Sequence, residues 1–254
     1  MIPPEAETAI RKAGELLRSA RHAVVLTGAG ISTPSGIPDF RSQHTGLWTK
    51  DDPMRVASLT TFQRQPEVFF NWLRPLAQKM WQAQPNAAHL ALAELEKDGL
   101  IKATITQNID GLHQQAGTQN VLELHGSAQT ATCKTCRKTY RSELFRQIFL
   151  DGGIPRCPSC QSILKPDIVL FEENLPANVW DEARWNCEQA DVMFVVGSSL
   201  EVVPAAGLPY WAVENHSQLV INTLSPTYLD DRADILLPYD VTEVIPMVRK
   251  AALA

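Results

Sequence analysis

Residues 22–27, His-Ala-Val-Val-Leu-Thr, form an apolar run without alternation that leads directly into Gly28-Ala-Gly-Ile-Ser32. A strand apolar on both sides has no solvent face, so it belongs inside a parallel sheet covered by helices. Two glycines at its end suit close approach of the backbone to a phosphate. The dinucleotide fingerprint would require a third glycine at position 33 and a helix starting there. Position 33 is threonine, and Pro34, Gly36 and Pro38 follow. Those residues disfavour a helix and supply turns. The chain therefore pairs a nucleotide-type glycine turn with an irregular loop.

The remaining pattern fits the sheet that this strand demands. Apolar positions at Ile10, Ala13, Leu16, Leu17 and Ala20 predict a helix over residues 5–20. Helices are expected at 66–84 and 86–98, the first opening on Pro66 and the second closing at Gly99. Strands follow at 101–106 and 121–124, then 167–171, 191–196, 218–222 and 234–237. Helices are expected at 177–189, 204–214 and from 241 onward. Alternation of this kind predicts an α/β fold, a Rossmann-like parallel sheet with helices on both faces. Two segments interrupt it, a largely helical insert at 43–85 and a cysteine module at 128–165. Together they are expected to form a small domain beside a core of residues 1–42, 86–127 and 166–254. A ligand cleft should lie between the two, at the carboxyl ends of the strands.

Cys133-Lys-Thr-Cys136 and Cys157-Pro-Ser-Cys160 are separated by twenty residues. Each tight turn presents two thiolates, and two such turns make a tetrahedral zinc site with no ligand position left open. The metal is therefore expected to hold structure. No leader and no apolar stretch of transmembrane length is evident, so the reading is of a soluble, cytoplasmic protein. Disulfides fit that compartment poorly. The net charge of -5 argues against a general nucleic-acid binder. Cys187 lies in a helical pattern and is read as incidental.

Polar clusters end four of the expected strands: Gly28-Ala-Gly-Ile-Ser32, Thr106-Gln-Asn-Ile-Asp110, Glu123-Leu-His-Gly126 and Gly197-Ser-Ser199. Any one of them could be a helix cap or a turn. Four together, at the same end of a parallel sheet, point to a ligand site.

These motifs closely resemble the sirtuin family. Gly28-Ala-Gly-Ile-Ser32 with Ser35-Gly-Ile-Pro-Asp-Phe-Arg41, and Thr106-Gln-Asn-Ile-Asp110 with Leu112-His113, carry the first half of the likeness. Leu124-His-Gly126, the paired cysteine turns, Lys165-Pro-Asp-Ile-Val169 and Gly197-Ser-Ser-Leu200 with Pro204-Ala205 carry the second, in the same order. The resemblance implies an NAD-dependent protein lysine deacylase that yields free lysine, nicotinamide and O-acyl-ADP-ribose. It implies NAD as co-substrate, one structural zinc, and acylated-lysine proteins or peptides as substrates.

Residue by residue, the resemblance places Gly28, Ala29, Gly30 and Thr33 along the cofactor, Phe40 over the reacting ribose carbon and Arg41 on phosphate. Gln107, Asn108, Ile109 and Asp110 correspond to the ribose and nicotinamide pocket. Gly197, Ser198 and Ser199 lie beside phosphate and adenosine ribose, and Val241 lies near adenine. Either Asn222 or Thr223 takes the adenosine-contacting place, because Asn222 stands five residues before Thr227 where the family has four. His125 takes the place of the general base. His113 is read as structural, and His22, His44, His89 and His216 match no catalytic motif.

Val169, Phe171 and Val202 are expected to clamp the substrate peptide, with Glu172 standing where the family usually has glycine. Desuccinylating members carry a tyrosine and, three residues later, an arginine on a small-domain helix. Phe70 and Leu73 are placed at those positions here, so the acyl pocket is expected to be apolar, with Arg74 pointing elsewhere. Two other readings use the same site: an NAD-dependent protein ADP-ribosyltransferase, and a non-catalytic NAD-responsive binding protein. A dehydrogenase is disfavoured by Thr33.

Overall fold

Ala23–Thr27 (β1) is buried along its whole length and pairs in parallel on both sides, as a strand with no solvent face must. The structure, a computed structural model, describes residues 2–39, 46 and 51–254. On one side of β1 lie Ala103–Thr106 (β2) and Val121–Glu123 (β3); on the other lie Val192–Val196 (β7), Gln218–Asn222 (β8) and Ile235–Leu236 (β9). The order is β3-β2-β1-β7-β8-β9, parallel throughout. The chain leaves β1 toward β2 and later returns to its other edge as β7. The switch point of the sheet therefore lies between β1 and β7.

Helices Pro4–Ser19 (α1), Ala87–Lys97 (α5) and Val241–Ala252 (α10) cover one face. The buried residues of α1, namely Ala6, Ile10, Ala13, Gly14 and Leu17, recur at helical spacing. Of these, Ile10, Ala13 and Leu17 join Leu92, Leu95, Val244, Ile245 and Val248 in closing over Val25, Phe194 and Val220 in one apolar cluster. Ala177–Gln189 (α8) and Leu208–Glu214 (α9) cover the other face, where Ala183, Cys187, Leu208 and Ala212 pack on Val24, Met193 and Leu219. Cys187 is fully buried in this layer, and burial pushes its thiol up to about 12.

The helical insert comprises Pro53–Val56 (α2), Leu59–Arg64 (α3) and Pro66–Gln82 (α4). A short helix, Leu112–Ala116 (α6), follows β2. The cysteine module is a three-stranded antiparallel sheet in the order β5-β4-β6, built from Gly126–Cys133 (β4), Thr139–Arg141 (β5) and Leu164–Ile168 (β6). Arg146–Leu150 (α7) completes it.

Two expectations shift. The strand placed at 167–171 runs instead over 164–168 and pairs with β4, so it serves the small sheet and not the parallel one. The small sheet thus reaches past residues 128–165 at both ends. The helix expected at 204–214 opens as a 3₁₀ turn, Ala205–Gly207, before α9.

Candidate active site

The loop after β1 meets the loop after β7 backbone to backbone. Gly30 N–H donates to Gly197 O at 2.8 Å, and Gly28 N–H donates to Val196 O at 3.2 Å. A Cβ on Gly30 would sit 2.7 Å from Gly197 O, and one on Gly197 would collide with Ile31 N. Gly197 also has φ +63°, in the left-handed region that favours glycine. The loop itself is two successive 3₁₀ turns, Ala29–Ile31 and Thr33–Ser35, ending at Gly36 with φ +89°. Glycine thus permits the interlock of two strand ends, and the prolines keep the segment from continuing as a helix.

Behind this loop lies a buried polar network. Ser32 Oγ donates to Asp110 Oδ2 at 2.7 Å and accepts from Asn108 Nδ2 at 3.2 Å. Asn108 Nδ2 also donates to Gly28 O at 3.1 Å. Asp110 Oδ1 accepts from Leu112 N at 2.9 Å, an Asx-type turn just before α6. Desolvation raises the Asp110 carboxyl above its ordinary range, against the opposing pull of the Leu112 and Ser32 hydrogen bonds. The rings of His89 and His113 meet edge to face, 5.0 Å between centroids. Burial pushes them down to about 4 and about 3, so both are neutral near pH 7. His113 Nε2 lies 2.9 Å from Thr27 Oγ1, and Asn86 donates to both Ile31 O and Ser35 Oγ. These contacts place His113, His89 and Asn86 beneath the glycine loop, in supporting positions.

His125 follows β3. Its Nδ1 lies 2.9 Å from Gln107 O, and a carbonyl can only accept. Nδ1 therefore carries the proton in the neutral ring, which leaves Nε2 as the basic nitrogen. Gln107 Nε2 in turn donates to Ser198 Oγ at 2.9 Å, joining the ends of β2 and β7.

A cleft of about 820 Å³ opens over these strand ends. It brings together Gly28, Ala29, Gly30, Thr33, Gln107, Asn108, Ile109, Asp110, His125, Gly197, Ser198, Ser199, Thr223 and Val241, and on its other wall Val169, Phe171 and Val202. Asn222 does not line it. That residue is fully buried, and its amide donates to Leu237 O at 2.6 Å and Tyr239 O at 2.9 Å, tying β8 to the loop after β9. Thr223 occupies the cleft side of the pair. Phe40 and Arg41 lie outside the described residues.

The acyl-pocket residues differ from expectation. Phe70 and Leu73 are buried around an adjoining cavity of about 60 Å³ between α4 and the cysteine module, which shares Met80, Asp110 and Ile168 with the cleft. The side chains of α4 that reach the cleft are Trp72, Leu76 and Met80, spaced four apart along the helix. The expected wall is displaced around the helix but stays apolar. Arg74 points away: Nε donates to Phe149 O at 2.6 Å, and the guanidinium stacks on the Phe149 ring. Trp72, Leu76 and Met80 belong to no local motif that would mark them in the sequence.

The wall beside β6 is pinned by charge. Lys165 is 4% exposed, pairs with Glu173 at 2.8 Å and donates to Ile168 O at 2.7 Å. Burial lowers the Lys165 pKa, and the Glu173 carboxylate opposes that shift.

Cys133, Cys136, Cys157 and Cys160 bring all four Sγ atoms within 4.8 Å of one another. The Cys133–Cys160 and Cys136–Cys157 sulfurs are 3.4 and 3.5 Å apart, far beyond a disulfide bond of about 2.0 Å. A Zn–S bond of about 2.3 Å in a tetrahedron sets sulfurs about 3.8 Å apart. The donor set and its spacing fit one structural zinc, and the four cysteines fill its coordination.

The Sir2 family model matches residues 28–204, a span from the glycine loop to the cleft's far wall. An NAD-dependent protein deacylase 2 of Archaeoglobus fulgidus is 47% identical over 95% of both chains. An NAD-dependent protein deacetylase of Caldivirga maquilingensis is 46% identical, over 94% of this chain and 91% of its own. The solved structure of a Sir2 protein with a p53 peptide and NAD⁺ superposes with a TM-score of 0.85 at 42% identity, covering 92% of this chain and 95% of its own. With the interlocked glycine loop, the buried Asn108–Asp110 network and the four-cysteine module all within the matched span, this chain belongs to the Sir2 family, the sirtuins.

Proposed function

We propose that this protein is an NAD-dependent protein lysine deacetylase, active on uncharged acyl groups. One observation carries the reading: a single cleft holds the nucleotide-type strand ends, the basic Nε2 of a properly tautomerised His125, and an apolar wall from α4. When bound, NAD supplies the electrophile, a ribose carbon primed by its cationic nicotinamide leaving group. The residues of this chain then have distinct tasks. Gly28, Ala29, Gly30, Thr33, Ser198 and Ser199 hold the phosphates and adenosine ribose, while Thr223 and Val241 flank the adenosine. Asn108, Ile109 and Asp110 orient the nicotinamide end, and the raised pKa of Asp110 suits a carboxyl that meets an amide in a desolvated pocket. Phe40 and Arg41 complete this set by sequence position.

Trp72, Leu76 and Met80 exclude water from the acyl-lysine carbonyl, so the two reacting groups gain from proximity without competing hydrolysis. His125 takes a proton at Nε2, and Gln107 O fixes its ring through Nδ1. Val169, Phe171 and Val202 receive the peptide. The main-chain groups of Phe171 are already committed to Ala57 and Leu59.

In this reading residues 1–42, 86–127 and 166–254 form the NAD-binding core, and residues 43–85 with 128–165 form the small domain. Among the described residues no helix is long and apolar enough to cross a membrane. None of the cysteines is joined in a disulfide, which suits a reducing compartment, and the cytoplasm is the location proposed.

The test is incubation with an acetyl-lysine peptide, with and without NAD, followed by mass. Loss of the acetyl mass only with NAD supports deacetylation. A gain of the ADP-ribose mass on protein or peptide would establish the transferase reading instead, and binding of NAD without turnover the sensor reading.

A further inference from the structure

We propose that Glu172 is a positioning residue, a latch that fixes the helical insert against the substrate strand and so sets the width of the acyl-lysine channel. This deepens the deacetylase reading and rests on it. Glu172 has φ +74°, a conformation that side-chain residues adopt rarely and that persists where the surroundings demand it. The surroundings are specific. Glu172 Oε2 accepts a hydrogen bond from Thr60 N at 2.9 Å, in the first turn of α3. One residue earlier, Phe171 O accepts from Leu59 N at 3.0 Å, and Phe171 N–H donates to Ala57 O at 3.1 Å. Ser58, between them, accepts Thr61 N at 3.1 Å with its hydroxyl. The N–H groups that begin a helix have no partner inside it. Here three successive ones, from Leu59, Thr60 and Thr61, are taken by Phe171, Glu172 and Ser58.

The other end of this segment reaches the chemistry. Val169 N–H donates to His125 O at 2.7 Å. Three residues thus separate the backbone of the proposed base from a carboxylate that grips the insert. The insert supplies the apolar wall, because α3 packs on α4 through contacts such as Phe62 with Phe69, 5.4 Å between ring centroids. Trp72, Leu76 and Met80 are on that same α4. Glu172 therefore joins the wall of the channel to its base end, and the left-handed backbone is what turns its side chain back onto α3.

The variants separate a latch from mere stability. Glu172→Gly removes the carboxylate and relieves the backbone strain. Glu172→Ala removes the carboxylate and keeps the strain. Glu172→Gln keeps an acceptor for Thr60 N. Three measurements are made: hydrogen exchange at residues 58–61, Kd for an acetyl-lysine peptide, and kcat and KM. The Gly and Ala variants should both expose the Thr60 amide to faster exchange and raise peptide Kd and KM on the order of tenfold, with kcat changed little. Their Tm values should diverge, the Gly variant being the more stable, and Gln should restore peptide binding. Wild-type Kd in both Gly and Ala variants would overturn the latch. So would a Kd that rises only in step with falling Tm, or a Gln variant as weak as Ala on basic peptides alone, which would make Glu172 a charge-recognition residue. Exchange and Kd require no turnover, so absence of deacetylation in the wild type would defeat the functional reading and leave the latch separately decided.

Discussion

The two sheets of this molecule hold together by different means. The six-stranded sheet is buried from both sides: β1 and β7 have no residue open to solvent, and two large apolar clusters flank them. The three-stranded sheet has a core of Ala131, Cys133, Phe145, Cys157 and Leu164, two of them zinc-type cysteines. One region is stable through burial. The other is too thin for that and needs cross-links through a metal. The cleft lies where a self-sufficient wall faces one whose module is built around the four-cysteine metal site.

The largest expected effect comes from attacking the thin side. Metal analysis should find one zinc per chain, and Cys133→Ala or Cys160→Ala should give poorly soluble protein with an unfolded module. Structural zinc contributes on the order of 10 kcal/mol in small modules. Active, folded protein without zinc would show that the small sheet stands on its own.

Removing the proposed base tests chemistry without disturbing either sheet. His125→Ala should bind NAD and keep its Tm while deacetylation falls by about 10²–10⁴. Near-normal turnover in the folded variant would remove His125 from the mechanism.

In the proposed reading, the seam between the regions sets acyl choice. Among the described residues that line the cleft there is no lysine or arginine, and Arg74 is engaged with Phe149 O and Asn71. A succinyl carboxylate would be desolvated beside Trp72 and Leu76 without a cation, a cost of several kcal/mol. On one peptide, kcat/KM for succinyl-lysine should fall at least about a hundredfold below that for acetyl-lysine. Equal rates would show a cation reaching this wall.

The smallest effect belongs to the thick side. His89 and His113 are held at about 4 and about 3, below the unfolded value of 6.5. Between those limits the unfolded chain binds the extra protons, so stability is full above about pH 6.5 and falls as pH drops toward 4. Each histidine contributes a loss on the order of 2 kcal/mol by pH 5. Thermal melts of wild type and of His113→Asn should show the shallower acid slope in the variant. Parallel slopes would mean that the pair does not titrate with unfolding.

Legibility followed the range of the forces involved. The cysteine turns and the run from Ala23 to Thr27 are local patterns with few physical readings, and the structure places both where those patterns require. Helix α4 is harder. Phe69, Phe70, Leu73, Leu76, Ala77 and Met80 are all buried, so its apolar stripe is too broad to show which part faces the cleft and which the module. Residues 164–168 carry a lysine, a proline and an aspartate, and their pairing with β4 comes from partners distant in sequence, from Cys133 opposite Leu164 to Gly126 opposite Ile168. The resemblance leaves the adenosine contact to Asn222 or Thr223, and only the fold shows the Asn222 amide nitrogen donating to two distant carbonyls. Local sequence does not encode such long-range partners.

The interlock of Gly30 with Gly197 also bears on how a protein of this build can change over time. Where two main chains meet with no space for even one added carbon, substitution has nothing to adjust. The opposite wall is made of side chains, from Trp72, Leu76 and Met80 to Glu172, and each can be exchanged for another size or charge. On the proposed reading, exchanges on this bank alter which acyl-lysine fits and leave the nucleotide side in place.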